Sequence, residues 1–394
     1  MLTIAPIENP EGFEGLQEEW NELLESSTSP CIFLTWEWLY TWWKNLSGRR
    51  RLLILTVRAE GGRLMAIAPF VIHPRALWDL TPFAAVEFLG TGSIGSDYLD
   101  IIVRQGNEEA VCIVLTEYLH RRKLSLRLAQ LNAEFSIGQE IADRLSVQRW
   151  NLGVWQTNLC PYIRLSGLTW DSYLAAIGSE HRYNLRRRIR RLNTDFRVDF
   201  EQAETDVQRG EALRAFIALH NLRWQTRGGS DALNCANLVA FHEEWTRLAL
   251  ARGWLRLFVL RLNGRPAAVL YGLRYLKTFY FYQSGFNPDF SEHSIGLVTL
   301  GLSIKQAIEE GASEYDMLHG DEEYKFHWAR SIRRLIRLEL HPPNGRGLLC
   351  RGARIVRDVG GRMAHRLLSK PIVEWIRTLN QSQSSKGLNA AKCR

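Results

Sequence analysis

One order of hydrophobic patterns occurs twice in this chain, and it restricts the fold more than any other feature. Helical spacing over 11–26 and 35–46 leads into two alternating apolar runs, 52–58 and 64–72, joined through Glu60-Gly61-Gly62. Alternation broken by a glycine-rich turn is a hairpin signal. Strand patterns at 86–90, 97–103, 124–130 and 160–165 and helical patterns at 107–122 and 137–145 complete the first pass. The second pass has a strand at 196–202, helices at 206–226 and 235–251, and a hairpin of 254–262 and 266–274 turning at Asn263-Gly264. Strand 278–284, helix 294–310 and strand 313–318 follow. Helices, hairpin, strand, helix, strand therefore recur without visible sequence identity, which describes a duplicated α/β unit. A chain of 394 residues is too long for one compact core, and two domains divide it naturally, at 1–165 and 166–345.

The remainder, 346–394, differs in kind. It holds 11 Lys/Arg against 2 Asp/Glu, a net of +9 in a chain of +8, so residues 1–345 net −1. The basicity belongs to this tail, and nucleic-acid binding by the domains has little support from charge. Apolar residues amid Arg over 348–379 predict one or two basic amphipathic helices, and the last 14 residues a disordered end. Such a tail either lies on an anionic membrane surface or packs on the body with its Arg face in water. The six Cys are scattered without a CxxC, which argues against structural zinc and for reduced thiols in a cytoplasmic protein. The N-terminus lacks a basic region followed by an apolar core, and no apolar run approaches the ~20 residues of a membrane span.

The stretch 278–328 concentrates the candidate chemistry. Its loop 286–296 enters a helix, and a helix start collects unpaired N–H groups and the positive end of the dipole, as a phosphate requires. There Ser294 either caps the helix or donates to a phosphate oxygen, and Gly296 lets the backbone approach an anion. Strand 313–318 places Asp316 and, just past its end, His319 at a sheet edge. Asp316 is either a site carboxylate or a buried one satisfied by backbone N–H groups or an Arg; His319 is a proton acceptor or a solvated loop residue. Tyr324 and Lys325 follow in GDEEYKFHW, where Lys325 either stabilises negative charge or is solvated among acids.

Two further sets are ambiguous. Six Arg lie between Arg182 and Arg191. On a helix, Arg182, Arg186 and Arg190 share one face and Leu185, Ile189 and Leu192 another, so the helix docks by its apolar side. The guanidinium face is solvated, a patch for an anionic polymer, or a contact for an anionic substrate, with Arg182 or Arg186 as the candidates. Five of the 14 Trp fall between Trp20 and Trp43. Such a cluster is core unless one ring, with Trp36 the candidate, is exposed to stack on a sugar. No GxSxG, HExxH or P-loop is present.

Six pieces in order, RRIRRL (187–192), ALHNLRW (218–224), LFVLRLNGRPAAVLYGL (257–273), YFYQSGFNPDF (280–290), SIGLVTL (294–300) and EYDMLHGDEEYKFHW (314–328), give the chain a resemblance. Over roughly 15–340 it resembles the acetyltransferase family named after the CelD cellulose-biosynthesis protein, a branch of the GNAT superfamily allied to the Fem peptidyltransferases. It departs from the family's usual Ser-Pro-Gly at the helix start, having Ser294-Ile295-Gly296, which removes the preorganisation of a proline at the first helical position.

The resemblance implies two tandem GNAT-like domains with mixed, mostly antiparallel sheets flanked by helices. It implies acetyl-CoA or another acyl-CoA as co-substrate, without metal, its pantetheine along strand 278–284 with Gln283 and its pyrophosphate at Ser294, Ile295 and Gly296. The N-terminal copy would shape the cleft for a small-molecule or saccharide acceptor, with Trp36, Arg182, Arg186 and Trp224 as candidate contacts. Asp316 or His319 would take the proton, and Lys325 or Tyr324 would stabilise or donate. Acetylation of a sugar, polysaccharide precursor or amine is then the expected function. Fem-like aminoacyl transfer from tRNA, and a non-catalytic scaffold with a docking tail, are the alternatives.

Overall fold

The computed structural model describes residues 1–74, 84–92, 94–225, 235–345 and 349, the side chains of 223–225 excepted. Apart from Leu349, the expected basic helices and disordered end of 346–394 lie outside these residues. Two compact units emerge: residues 1–156, joined by 336 onward and by Cys235–Asn237, and a second of Thr157–Asn234 with Leu238–Leu335.

The first unit begins with a strand that its sequence pattern did not announce, β1 (Leu2–Ile7), then α1 (Pro10–Glu14), α2 (Gln17–Glu25) and α3 (Trp36–Leu46). The single helix expected over 11–26 is broken at Gly15 and Leu16. Thr35 caps α3 as expected, accepting from the Trp38 N–H at 3.4 Å. The hairpin β2 (Arg51–Ala59) and β3 (Leu64–His73) precedes β4 (Ala85–Phe88), β5 (Ile102–Val103), α4 (Glu108–Arg122), β6 (Ser125–Asn132), α5 (Ile137–Val147) and β7 (Asn151–Arg164). The strand expected over 97–103 shrinks to β5. Asp100 leaves the ladder and accepts from the N–H groups of Ile101, Ile137 and Gly138, each at 2.8 Å, at the start of α5.

In the second unit α6 (Trp170–Ala176) and α7 (Ser179–Asp195) lead to β8 (Val198–Gln202), α8 (Asp206–Gln225) and α9 (Ala236–Ala251). The hairpin β9 (Leu255–Leu262) and β10 (Arg265–Tyr275) is followed by β11 (Thr278–Phe286), α10 (Ile295–Glu309), β12 (Glu314–Asp316) and α11 (Glu323–Trp328); β7 and the last strand, β13 (Ser331–His341), each have residues in both units. Strand order here is β7-β12-β11-β10-β9-β8; in the first unit it is β1-β2-β3-β4-β6, with β5 on β3.

The duplication is therefore physical. In each unit the strand after the hairpin pairs antiparallel with its predecessor and parallel with the strand beyond the next helix: β4 with β6, β11 with β12. A right-handed crossover needs an intervening helix to join parallel neighbours, and α4 and α10 supply it. In the second unit α10 and α7 pack on one face, where Leu185, Leu300 and Ile304 meet Phe279, Phe281 and Tyr315. On the other face α8 and α9 bring Phe216 and His242 against Tyr271 of β10. As expected, α7 docks by its apolar stripe: Leu185 and Leu192 are buried and Ile189 packs beside them.

Candidate active site

The pairing of β11 with β12 stops early. Only Thr278, Phe279 and Tyr280 face Glu314, Tyr315 and Asp316. Beyond Asp316 the chain stays with β7: the Met317 N–H donates to Pro161 O (2.9 Å) and the Gly320 N–H to Leu159 O (3.0 Å). The two parallel strands thus part, and Phe281–Phe286 runs on with its β12-side edge outside the ladder. Within this free stretch the register of β10 against β11 jumps, Tyr271 facing Gln283 and Gly272 facing Phe281, so Tyr282 is the extra residue of a bulge. Bulges free a backbone N–H and re-aim side chains, and they gather beside active sites. Gln283 is exposed at this bulge.

From β11 the chain makes a short 3-10 turn over Pro288–His293 into Ser294, which has φ +52° and ψ +43°. Ser294 does not cap α10, contrary to the plainer expectation, because no side-chain hydrogen bond reaches back to the helix. The first helical acceptor is its carbonyl, taken by the Val298 N–H at 3.2 Å. That leaves the N–H groups of Ile295, Gly296 and Leu297 pointing out of the helix start without a partner among the described residues. Gly296 is not required by packing, for a Cβ there would meet only Phe286, at 3.5 Å. A glycine with room to spare at an open helix start fits an incoming anion. Beside it, Arg188 of α7 donates to Glu292 O at 2.7 Å, and Leu192 packs with Ile295 and Val298.

The equivalent helix start in the first unit has opposite electrostatics. There α4 opens with Glu108 and Glu109, and the Glu108 carboxylate accepts from the Gly106 N–H at 3.1 Å. Carboxylates already occupy the positive end of that helix, so a phosphate is repelled.

The candidates at the end of β12 and beyond it divide. Asp316 is buried, and its carboxylate accepts from the Leu318 N–H (2.8 Å) and faces Arg333 Nη1 (3.3 Å). Arg333 also forks onto Glu314 at 2.7 and 2.6 Å and lies 3.9 Å from the Tyr162 ring centre. Of the two alternatives for Asp316, the structure shows the buried, satisfied carboxylate. Lys325 corrects both of its expectations. It is only 4% exposed, so it is not solvated. Its Nζ donates to His319 O (2.7 Å) and Leu318 O (3.4 Å) and pairs with Glu322 (3.1 Å). An ammonium has three donors, and all three are used in folding this loop, which leaves none for a thioester oxygen. Gly320 makes that fold possible: it has φ +134°, and a Cβ would fall 2.1 Å from Glu322 Oε2 and 2.6 Å from Lys325 Nζ. His319 is exposed, and Tyr324, in the first turn of α11, is 38% exposed.

Trp36 is another correction. It is 5% exposed, stacks on Tyr40 at 4.3 Å, and donates to Phe13 O at 2.9 Å, so neither face is open to a sugar. Arg182 is tied to the end of α6, donating to Leu174 O (3.0 Å) and Ala175 O (3.2 Å). Arg186, Arg187 and Arg190 line an open groove with Tyr183 and have no carboxylate partner among the described residues. The Trp224 side chain lies outside the described residues. Two buried histidines that sequence reasoning passed over, His220 of α8 and His242 of α9, stand behind the bulge. A His within the ALHNLRW piece is the one signal that pointed there.

Residues 179–326 match the family model described as an acetyltransferase (GNAT) domain. The chain carries a GNAT acetyltransferase domain. The match spans α7 through α11, which includes the parted strands, the bulge and the open helix start. It makes the chain an acyltransferase with an α/β GNAT-like fold. No curated protein matches in sequence. Among solved structures the chain is similar to that of FemX, at 12% identity and a TM-score of 0.59, with 81% of this chain and 95% of FemX covered. It is also similar to a conserved protein of unknown function from Bacteroides thetaiotaomicron, at 12% identity and a TM-score of 0.53, with 86% and 100% covered. At such identities these likenesses concern the fold alone. No helix among the described residues is long and apolar enough to cross a membrane.

Proposed function

We propose that the GNAT domain transfers an acetyl or similar acyl group from its coenzyme A thioester to an amine or hydroxyl of a sugar or small-molecule acceptor. The observation that carries this is the continuous run from the bulge at Tyr282, along the part of β11 beyond its pairing with β12, to the N–H groups of Ile295, Gly296 and Leu297, which have no partner among the described residues. A thioester lying there has its carbonyl at the bulge and its phosphates at the helix start. In this reading the re-aimed backbone at the bulge lies beside the oxygen on which charge builds. In this reading Tyr324, partly exposed in the first turn of α11, returns a proton to the leaving thiolate. Asp316 and Lys325 act at one remove, holding the loop from which Tyr324 projects. Positioning of the nucleophile supplies much of the rate in such direct attack. The equivalent helix start in the first unit already holds carboxylates, which disfavour a second donor phosphate there. Kinship with the CelD branch rests on the six sequence pieces and favours a saccharide in polysaccharide assembly as acceptor.

The test is thiol release from acetyl-CoA across a panel of amino sugars, sugars and amines. Release that depends on one acceptor class supports the proposal, and none above the rate in buffer for any of them contradicts it. One observation favours a second reading, aminoacyl transfer from charged tRNA: the groove of Arg186, Arg187 and Arg190 carries three guanidinium groups without carboxylates. That reading requires tRNA binding that collapses with added salt.

A further inference from the structure

A nucleophile attacking at the bulge needs a proton acceptor, and the Asp316 carboxylate at the end of β12 is engaged with Arg333. The opposite face of the sheet offers another group. Helix α8 crosses the free half of β11 so closely that a Cβ at Gly285 would fall 2.8 Å from the backbone N of His220. Gly285 thus permits the crossing, and it seats His220 three residues past the bulge. Behind it stands His242 of α9, its ring centre 6.0 Å from that of Tyr282, the bulged residue, and 5.8 Å from that of Tyr271. Phe216 lies between His220 and Tyr271, its ring centre 5.7 Å from that of each. His220 is 7% exposed and His242 3%. His242 Nδ1 is buried without a hydrogen-bond partner among the described residues, an orphaned group of the kind that function commonly explains.

We propose that His220 accepts the proton of the attacking amine or hydroxyl, and that His242 positions it as a neutral neighbour. The assignment rests on the donor reading above. The nucleophile's nitrogen or oxygen bonds to the acyl carbon and its proton passes to the His220 imidazole. The carbon–sulfur bond breaks, and the thiolate takes its proton from Tyr324. Burial, and then the proximity of His220, push His242 down to about 3, which keeps His242 neutral beside His220. Around the pair, α9 contributes His242, β10 Tyr271 and β11 Tyr282. Arg209, whose charge reaches Tyr271, is matched by Asp206 and Glu243.

The experiment compares wild type with His220→Gln and His220→Ala in three readouts: acetyl-CoA binding by calorimetry, thiol release with glucosamine or water as acceptor, and imidazole rescue. Binding of acetyl-CoA within about twofold of wild type, with thiol release about 100-fold slower, the acid limb of the pH–rate profile lost, and recovery of His220→Ala by added imidazole supports the assignment. A His220→Gln protein that binds acetyl-CoA and releases thiol at the wild-type rate overturns it while leaving the donor reading intact. Wild-type protein that fails to bind acetyl-CoA overturns the donor reading, and this assignment with it.

Discussion

Ser294 adopts a left-handed conformation that its side chain does not repay with a cap. A non-glycine residue there costs roughly 1 kcal/mol, and such outliers gather at ligand clamps. Ser294→Gly is therefore expected to raise the melting temperature slightly and to weaken acetyl-CoA binding, as read by thermal melts and calorimetry. Gly320 and Lys325 form a complementary pair. Lys325→Met leaves His319 O and Glu322 without their cation, and a loss of about 1–3 kcal/mol in urea unfolding is the expected result. In the first unit, burial raises the Asp100 carboxyl to about 7 despite its three backbone donors. An unfolded carboxyl titrates near 3.9. Between these values the folded state holds a proton that the unfolded state has lost. Stability from this group is full below about pH 4 and declines as pH rises to about 7. Denaturant titrations from pH 4 to 8 should show this slope, and Asp100→Asn should flatten it.

Among elements, α7 was the most legible in sequence, because the 3.6-residue period separates its Leu and Arg faces without help from tertiary structure. Its guanidinium groups are less uniform than that period suggests. Arg182 serves α6 and Arg188 serves the β11–α10 turn. Changing Arg186, Arg187 and Arg190 together to Gln should shift stability by less than about 0.5 kcal/mol. Acetyl-CoA affinity should stay unchanged, while any salt-sensitive binding of polyanions, measured by filter retention, should fall. The loop after β12 was the least legible element. Two acids beside a Lys look solvated in sequence, and only the left-handed turn at Leu318 and Gly320 folds Lys325 back under its own carbonyls. Similarly, a Trp on an amphipathic helix does not reveal whether its second face is open. Trp36 is closed by Tyr40, four residues on.

At the scale of the molecule, alternation and turn chemistry made the two hairpins and the duplicated order readable, since those signals are local. β1 and β13 were not, because a strand that completes a sheet declares itself through its partners: Leu2–Ile7 is set by its register on β2. The proposed donor site had the same limit. Its helix start was visible in Ser294-Ile295-Gly296, but the parting of β11 from β12 and the bulge at Tyr282 are facts of pairing. The histidines behind that bulge lie 22 residues apart in sequence, on different helices. The central claim is that this one helix start holds the phosphates of an acyl-CoA. Calorimetry with acetyl-CoA on wild type, Gly296→Ala and Gly296→Trp tests it most directly. Wild type is expected to bind saturably at one to one, Gly296→Ala to bind more weakly with its fold intact, and Gly296→Trp not to bind. Equal binding by all three, or none by wild type, would contradict it.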